Sequence, residues 1–149
     1  MAAVFGFMVF LAFGGFLYLL YLVATSGLRK RAAAQARVAE INAEHGLSFD
    51  VEHILVNDLY LSAEDDFVAF DQQHRKLAIC SRKDKTFCRI EDFSWLRGWS
   101  HTWESRGNSI FHRIELETAD LDCPVLFFRV ESEYEASQWI ARLNLLING

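Results

Sequence analysis

DFVAFDQQHRKLAIC, residues 66–80, is the stretch that decides the fold. Apolar and polar residues alternate on either side of a polar centre, the period-2 pattern of two strands joined by a turn. A turn centred on Gln73 and His74 sets Phe70 opposite Leu77 and Val68 opposite Ile79. Those four side chains then share one face, and that face is expected to be buried.

Outward from this hairpin, Arg82, Lys83, Asp84 and Lys85 form a second polar turn. Centred between Lys83 and Asp84, it sets Ile79 opposite Cys88 and Leu77 opposite Ile90. Cys88 is then expected on the core face and Cys80 on the other, so the two thiols stay reduced. Residues 93–104 lead into the turn SRGN (105–108), and SIFHRIELET (109–118) alternates again. A polar loop ends at Pro124, and VLFFRV (125–130) reads as the last strand. Ser132, Glu133, Tyr134 and Glu135 make a capping box, with Ser132 at the N-cap. Ala136, Trp139, Ile140, Leu143 and Ile147 follow at helical spacing, an apolar stripe that must pack on the sheet.

Towards the N-terminus, VFGFMVFLAFGGFLYLLYLVA (residues 4–24) carries no charge. Roughly 20 apolar residues in a helix cross a hydrocarbon core about 30 Å thick. No Lys or Arg precedes the run, whereas Arg29, Lys30, Arg31 and Arg37 follow it. That order fits an uncleaved transmembrane helix better than a signal peptide. It also places the following domain on the cytoplasmic side. Gly6, Gly14 and Gly15 would let a second helix approach, though not at G-x-x-x-G spacing, so a homo-oligomer is open. The segment RKRAAAQARVAEINAE is rich in helix formers up to Gly46, with Val38 and Ile41 on its one apolar side. The expected organisation is a transmembrane helix over 1–28, a basic helical juxtamembrane stalk over 29–46 and an α+β, mainly β, domain over 47–149.

Charge narrows the partners. Residues 50–149 hold 11 basic and 18 acidic side chains, a balance of −7 within a chain total of −5. Such a domain is not expected to bind nucleic acid, which needs clustered Lys and Arg. The chain has no G-x-S-x-G elbow, P-loop or H-E-x-x-H, so no catalytic residue, cofactor or metal is expected. His101 and His112 would lie near each other across the 105–108 turn, but two histidines without a third ligand make a poor metal site. Cys123 with His53 is a thiol–imidazole pair with no motif behind it.

The hairpin FVAFDQQHRKLAIC, the segment FCRIEDFSWL and the ending VLFFRVESEYEASQWIARLNLLI together resemble the pleckstrin-homology-like domain over about residues 50–149. The whole chain resembles small bacterial single-pass membrane proteins that carry such a domain. The resemblance implies about seven antiparallel strands with a C-terminal capping helix. It further implies binding of phosphoinositide headgroups, peptides or proteins. Lipid-reading members use Lys and Arg in the loop joining the first two strands. The matching segment here, Ser62-Ala63-Glu64-Asp65-Asp66, is acidic.

Trp95, Arg97, Trp99, His101 and Trp103 alternate with smaller residues and would share one strand face. Trp and Arg dominate binding hot spots, so these five are the expected partner-binding residues. The expected function is a non-enzymatic module that holds a protein-binding domain at the inner membrane of a bacterium, its helix in the bilayer. A lipid-headgroup module and a membrane-held immunity or regulatory protein are the alternatives.

Overall fold

A computed structural model of the protein describes residues 2–57, 66–81 and 88–149. The RKDK turn and the acidic residues 62–65 lie outside that set. Helix α1 runs unbroken over Ala2–His45 and stops where Gly46 takes a left-handed φ of 63°. Its length is about 66 Å at 1.5 Å per residue. Among the described residues seven strands follow: β1 (Leu55–Val56), β2 (Asp66–Asp71), β3 (Lys76–Ser81), β4 (Cys88–Asp92), β5 (Leu96–Arg106), β6 (Ser109–Thr118) and β7 (Val125–Val130). Helix α2 (Glu133–Asn148) ends the chain. The fold is thus mixed α and β, with two antiparallel sheets in the orders β1-β2-β3-β4 and β5-β6-β7.

Among the described residues, no helix is long and apolar enough to cross a membrane. Within residues 4–24 the residues whose exposure is described are Gly14, Gly15, Phe16, Leu17, Tyr18 and Tyr21, and all are exposed.

The hairpin that opened the sequence has the expected register, with Phe70 paired to Leu77 and Val68 to Ile79. These four enter the main core with Phe93, Ile114, Leu116, Phe128, Trp139 and Leu143. Phe70 sits at its centre, 6.3 Å from both the Phe93 and Trp139 rings. Ser132 caps α2 by accepting from the Glu135 N–H, and the Glu135 carboxylate accepts from the Glu131 N–H.

The next register differs from expectation by one residue. Ala78 pairs with Ile90 and Cys80 with Cys88, which places the two cysteines on one face and joins their sulfurs. The expectation that they stay apart on opposite faces is therefore overturned. The physical reason is that Leu77, Ala78, Ile79 and Cys80 are all buried. A strand apolar on both faces gives alternation nothing to choose between.

The second buried face is covered by α1. Ala34, Val38 and Ile41 are at most 1% exposed and pack with Phe49, Phe67, Ala69, Ala78 and Cys80. The Asn42 side chain accepts from the Phe49 N–H and donates to its carbonyl, at 2.8 and 3.0 Å. Further along, Arg31 donates to the Glu52 carbonyl. Residues 47–52 therefore run back along the helix, and α1 is seated on the sheet at both levels.

Polar groups close the two corners between the sheets. Arg89 on the edge strand β4 bonds Glu91 and Asp120 and lies 5.1 Å from the Trp95 ring centre. A charge on this edge strand also blunts the β4 edge against pairing. At the other corner the buried Asn57 side chain accepts from the Arg129 N–H.

The β2–β3 turn hangs on Asp71, whose side chain is fully buried. It accepts from the N–H groups of Ser48 and His74 and from the His74 ring. Burial pushes the Asp71 carboxyl up, but those three bonds outweigh it and hold it below the usual carboxylate range. Its stabilisation is complete above the unfolded-chain value of about 4 and disappears as pH falls through the lower folded value. Acid unfolding should accordingly show a loss of stability below pH ~4 that Asp71→Asn partly removes, at a neutral-pH cost of roughly 1.5–3 kcal/mol. Ile41→Ala should lower the urea midpoint by an amount corresponding to about 2–5 kcal/mol if α1 is a packed layer of the domain. An unchanged midpoint would mean that the helix does not pack.

Candidate functional site

The five expected partner-binding residues do not form one face. Leu96 pairs with Thr118 and Gly98 with Glu117, so Arg97 is the extra residue of a β-bulge and the alternation reverses across it. Trp95 lies before the strand, in a single 3-10 turn (Phe93–Trp95). Both Trp95 and Trp99 are partly buried against the main core. The Trp99 indole N–H donates to Asn144 on α2 at 3.1 Å, so this ring serves the seat of the helix. Arg97 is exposed at the bulge.

Trp99, His101 and Trp103 do share the inward face of β5, and Trp103 emerges from it at 65% exposure. It pairs directly with His112 on β6, while Ile110, 59% exposed, pairs with Ser105 on the same face. β7 reaches β6 only as far as His112, so the outer end of this long hairpin extends beyond its neighbour. Gly107, at φ 61°, makes the tight reversal with Asn108. That turn lies one residue later than the sequence reading placed it. The register is therefore displaced by two, which preserves the facing sides. His101 Nε2 and His112 Nδ1 consequently still meet, diagonally, at 3.1 Å. Among the described residues no group of three or more metal-ligating side chains gathers there or elsewhere.

On the opposite face of the hairpin the charges satisfy one another. Thr102 donates to Glu115, Arg113 reaches both Thr102 and Glu104, and Arg106 bonds Glu104. Arg129 stacks on Phe111 at 3.8 Å. This face is polar and internally tied.

The four basic residues expected beside a membrane all lie on α1. Arg29 and Arg31 are exposed and Lys30 half-buried. Arg37 pairs with Glu40 at 2.8 Å. Cys123 and His53 are not brought together: the Cys123 thiol is 4.0 Å from the Val125 carbonyl, and the His53 ring bonds Asp50.

A cleft of about 600 Å³ went unread in the sequence; it opens between α2, the β2–β3 turn and residues 48–53. Asp50 and His53 line it with Arg142 from the far end of the chain. The spacing Asp-x-x-His, which occurs both at Asp50–His53 and at Asp71–His74, was the available signal.

Trp103→Ala should leave stability within roughly 0.5 kcal/mol, as an exposed substitution does. Trp99→Ala should cost about 3 kcal/mol through lost packing under α2. Thermal melts of the two variants separate a surface ring from a supporting one.

No family model, curated protein or solved structure matches the chain.

Proposed function

We propose that the protein is a non-enzymatic, membrane-anchored interaction module. Residues 4–24 of α1 cross the bilayer, and the remainder presents a pleckstrin-homology-like domain at the cytoplasmic face of a bacterial inner membrane. The observation that carries this reading is the continuity of α1. One unbroken helix, Ala2–His45, contains the uncharged run and then lays Ala34, Val38 and Ile41 against the sheet. The basic residues Arg29, Lys30 and Arg31 stand between the two parts, where headgroup phosphates would meet them.

The arrangement of four strands, three strands and a closing helix supports the pleckstrin-homology-like reading. The seat of α1 sharpens what the anchor does. A domain on a flexible tether samples all orientations, whereas this one shares a packed layer with its own anchor. Membrane attachment then fixes which surface meets a partner as well as raising local concentration. Trp103 and Ile110, at the outer end of the β5–β6 hairpin, are the apolar side chains this reading offers to a protein partner. The Cys80–Cys88 pair does not decide the compartment, because neighbours in register stay in contact whether oxidised or reduced.

Cys123 is exposed and unpaired, which makes it a built-in reporter of topology. A membrane-impermeant maleimide should label it only after the inner membrane of spheroplasts is permeabilised. Labelling in intact spheroplasts would place the domain outside and overturn the orientation. A photo-crosslinking residue substituted for Trp103 should give one discrete adduct in membranes, lost when Ile110→Asp is added. A crosslink pattern indifferent to Ile110→Asp would remove the hairpin end from the binding surface.

A further inference from the structure

The cleft between α2 and residues 48–53 has the composition of a small-ligand site. Its volume, about 600 Å³, lies in the range of ligand pockets. Phe70, Leu145 and Leu146 give it an apolar lining, and Ser48, Gln72 and Gln73 add polar groups from two other segments. Convergence of a few polar groups over an apolar floor is the usual build of such sites.

The two formal charges at the cleft wall, on Asp50 and Arg142, are not paired with each other. Asp50 is the one carboxylate among its described lining residues, and it is already engaged. Its Oδ1 accepts from the N–H groups of Glu52 and His53, at 2.8 and 3.1 Å. Its Oδ2 lies 2.6 Å from His53 Nδ1. Burial pushes the Asp50 carboxyl up, but the His53 ring and the two backbone N–H groups more than offset it, so it stays ionised at neutral pH. The imidazole is thereby fixed through Nδ1, and Nε2 is its remaining polar atom. Arg142 stacks 5.0 Å from the Trp139 ring centre and has no carboxylate partner among the described residues. A guanidinium beside an aromatic ring can still offer its N–H groups to an oxyanion. In a domain of net charge −7, an arginine at the wall of a cleft with no ion pair among the described residues is the feature that asks for a ligand.

The geometry points to a binding site for a small carboxylate with an apolar side group, Arg142 pairing with the carboxylate and Phe70, Leu145 and Leu146 receiving the apolar part. His53, oriented by Asp50, lies within the same wall and bonds a polar group of the ligand. Gln72 and Gln73 supply amides for a neighbouring peptide-like group. This site is separate from the hairpin end, so it stands or falls independently of the protein partner assigned there.

The test is a titration of the full-length protein in lipid nanodiscs with N-acetyl-leucine, followed by the amide resonances of Gln72, Gln73, Leu145 and Leu146. Saturable shifts are expected with N-acetyl-leucine and none with N-acetyl-leucinamide, which lacks the charge. Arg142→Gln should weaken binding at least tenfold, Arg142→Lys should restore part of it, and His53→Gln should weaken it severalfold. Trp103→Ala should change nothing. Inorganic phosphate forms the second arm, and displacement of N-acetyl-leucine by phosphate at equal concentration would overturn the carboxylate assignment. So would equal binding of the amide, indifference to Arg142→Gln in a protein whose melt is unchanged, or no shift at millimolar ligand.

Discussion

The packing of α1 on the outer face of β2 and β3 is the contact on which the rest of the structure depends. Without Ala34, Val38 and Ile41 over them, Phe67, Ala69, Ala78 and Cys80 would form an exposed apolar sheet face. Burial of apolar area at roughly 25 cal/mol per Å² makes that layer a principal source of stability, alongside the α2 side of the core. Asn42 locks the turn out of the helix by holding both backbone groups of Phe49. Residues 48–50 are then delivered to Asp71 and Phe70, which set the β2–β3 turn. One helix therefore determines where the sheet, the turn and one wall of the cleft lie.

The same layer explains what the sequence made legible. The β2–β3 pairing could be read because a polar centre, DQQHRK, leaves one symmetric solution for Val68, Phe70, Leu77 and Ile79. The β3–β4 pairing could not, since a strand buried on both faces loses the polar side that fixes register. Val38 and Ile41 announced an apolar side on the stalk, yet nothing local says which sheet face it meets. The capping box at Ser132 was legible because a cap is a property of four consecutive residues. The bulge at Arg97 was not, as it arises from how β5 turns against β6. His101 and His112 met despite a misplaced turn because a shift of two residues preserves the face.

The two surfaces of interest have different origins. The hairpin end exposes Trp103 because β5 and β6 outrun β7, so its exposure follows from strand lengths. The cleft gathers Ser48, Asp50, His53, Gln72, Gln73 and Arg142 from three distant segments. The Asp-x-x-His spacing marks one wall, but no single window of sequence shows the three segments meeting. Both belong to a body in which α1 is packed against the sheet as one layer.

The direct measurement is a pair of spin labels in the full-length protein in nanodiscs. One replaces the exposed Ala36 on α1 and the other the exposed Gln138 on α2. A packed α1 predicts a single narrow distance distribution, unchanged when the protein moves from nanodisc to detergent. A broad distribution, or one that shifts with the surrounding medium, would contradict the account by showing that the helix swings free of the sheet.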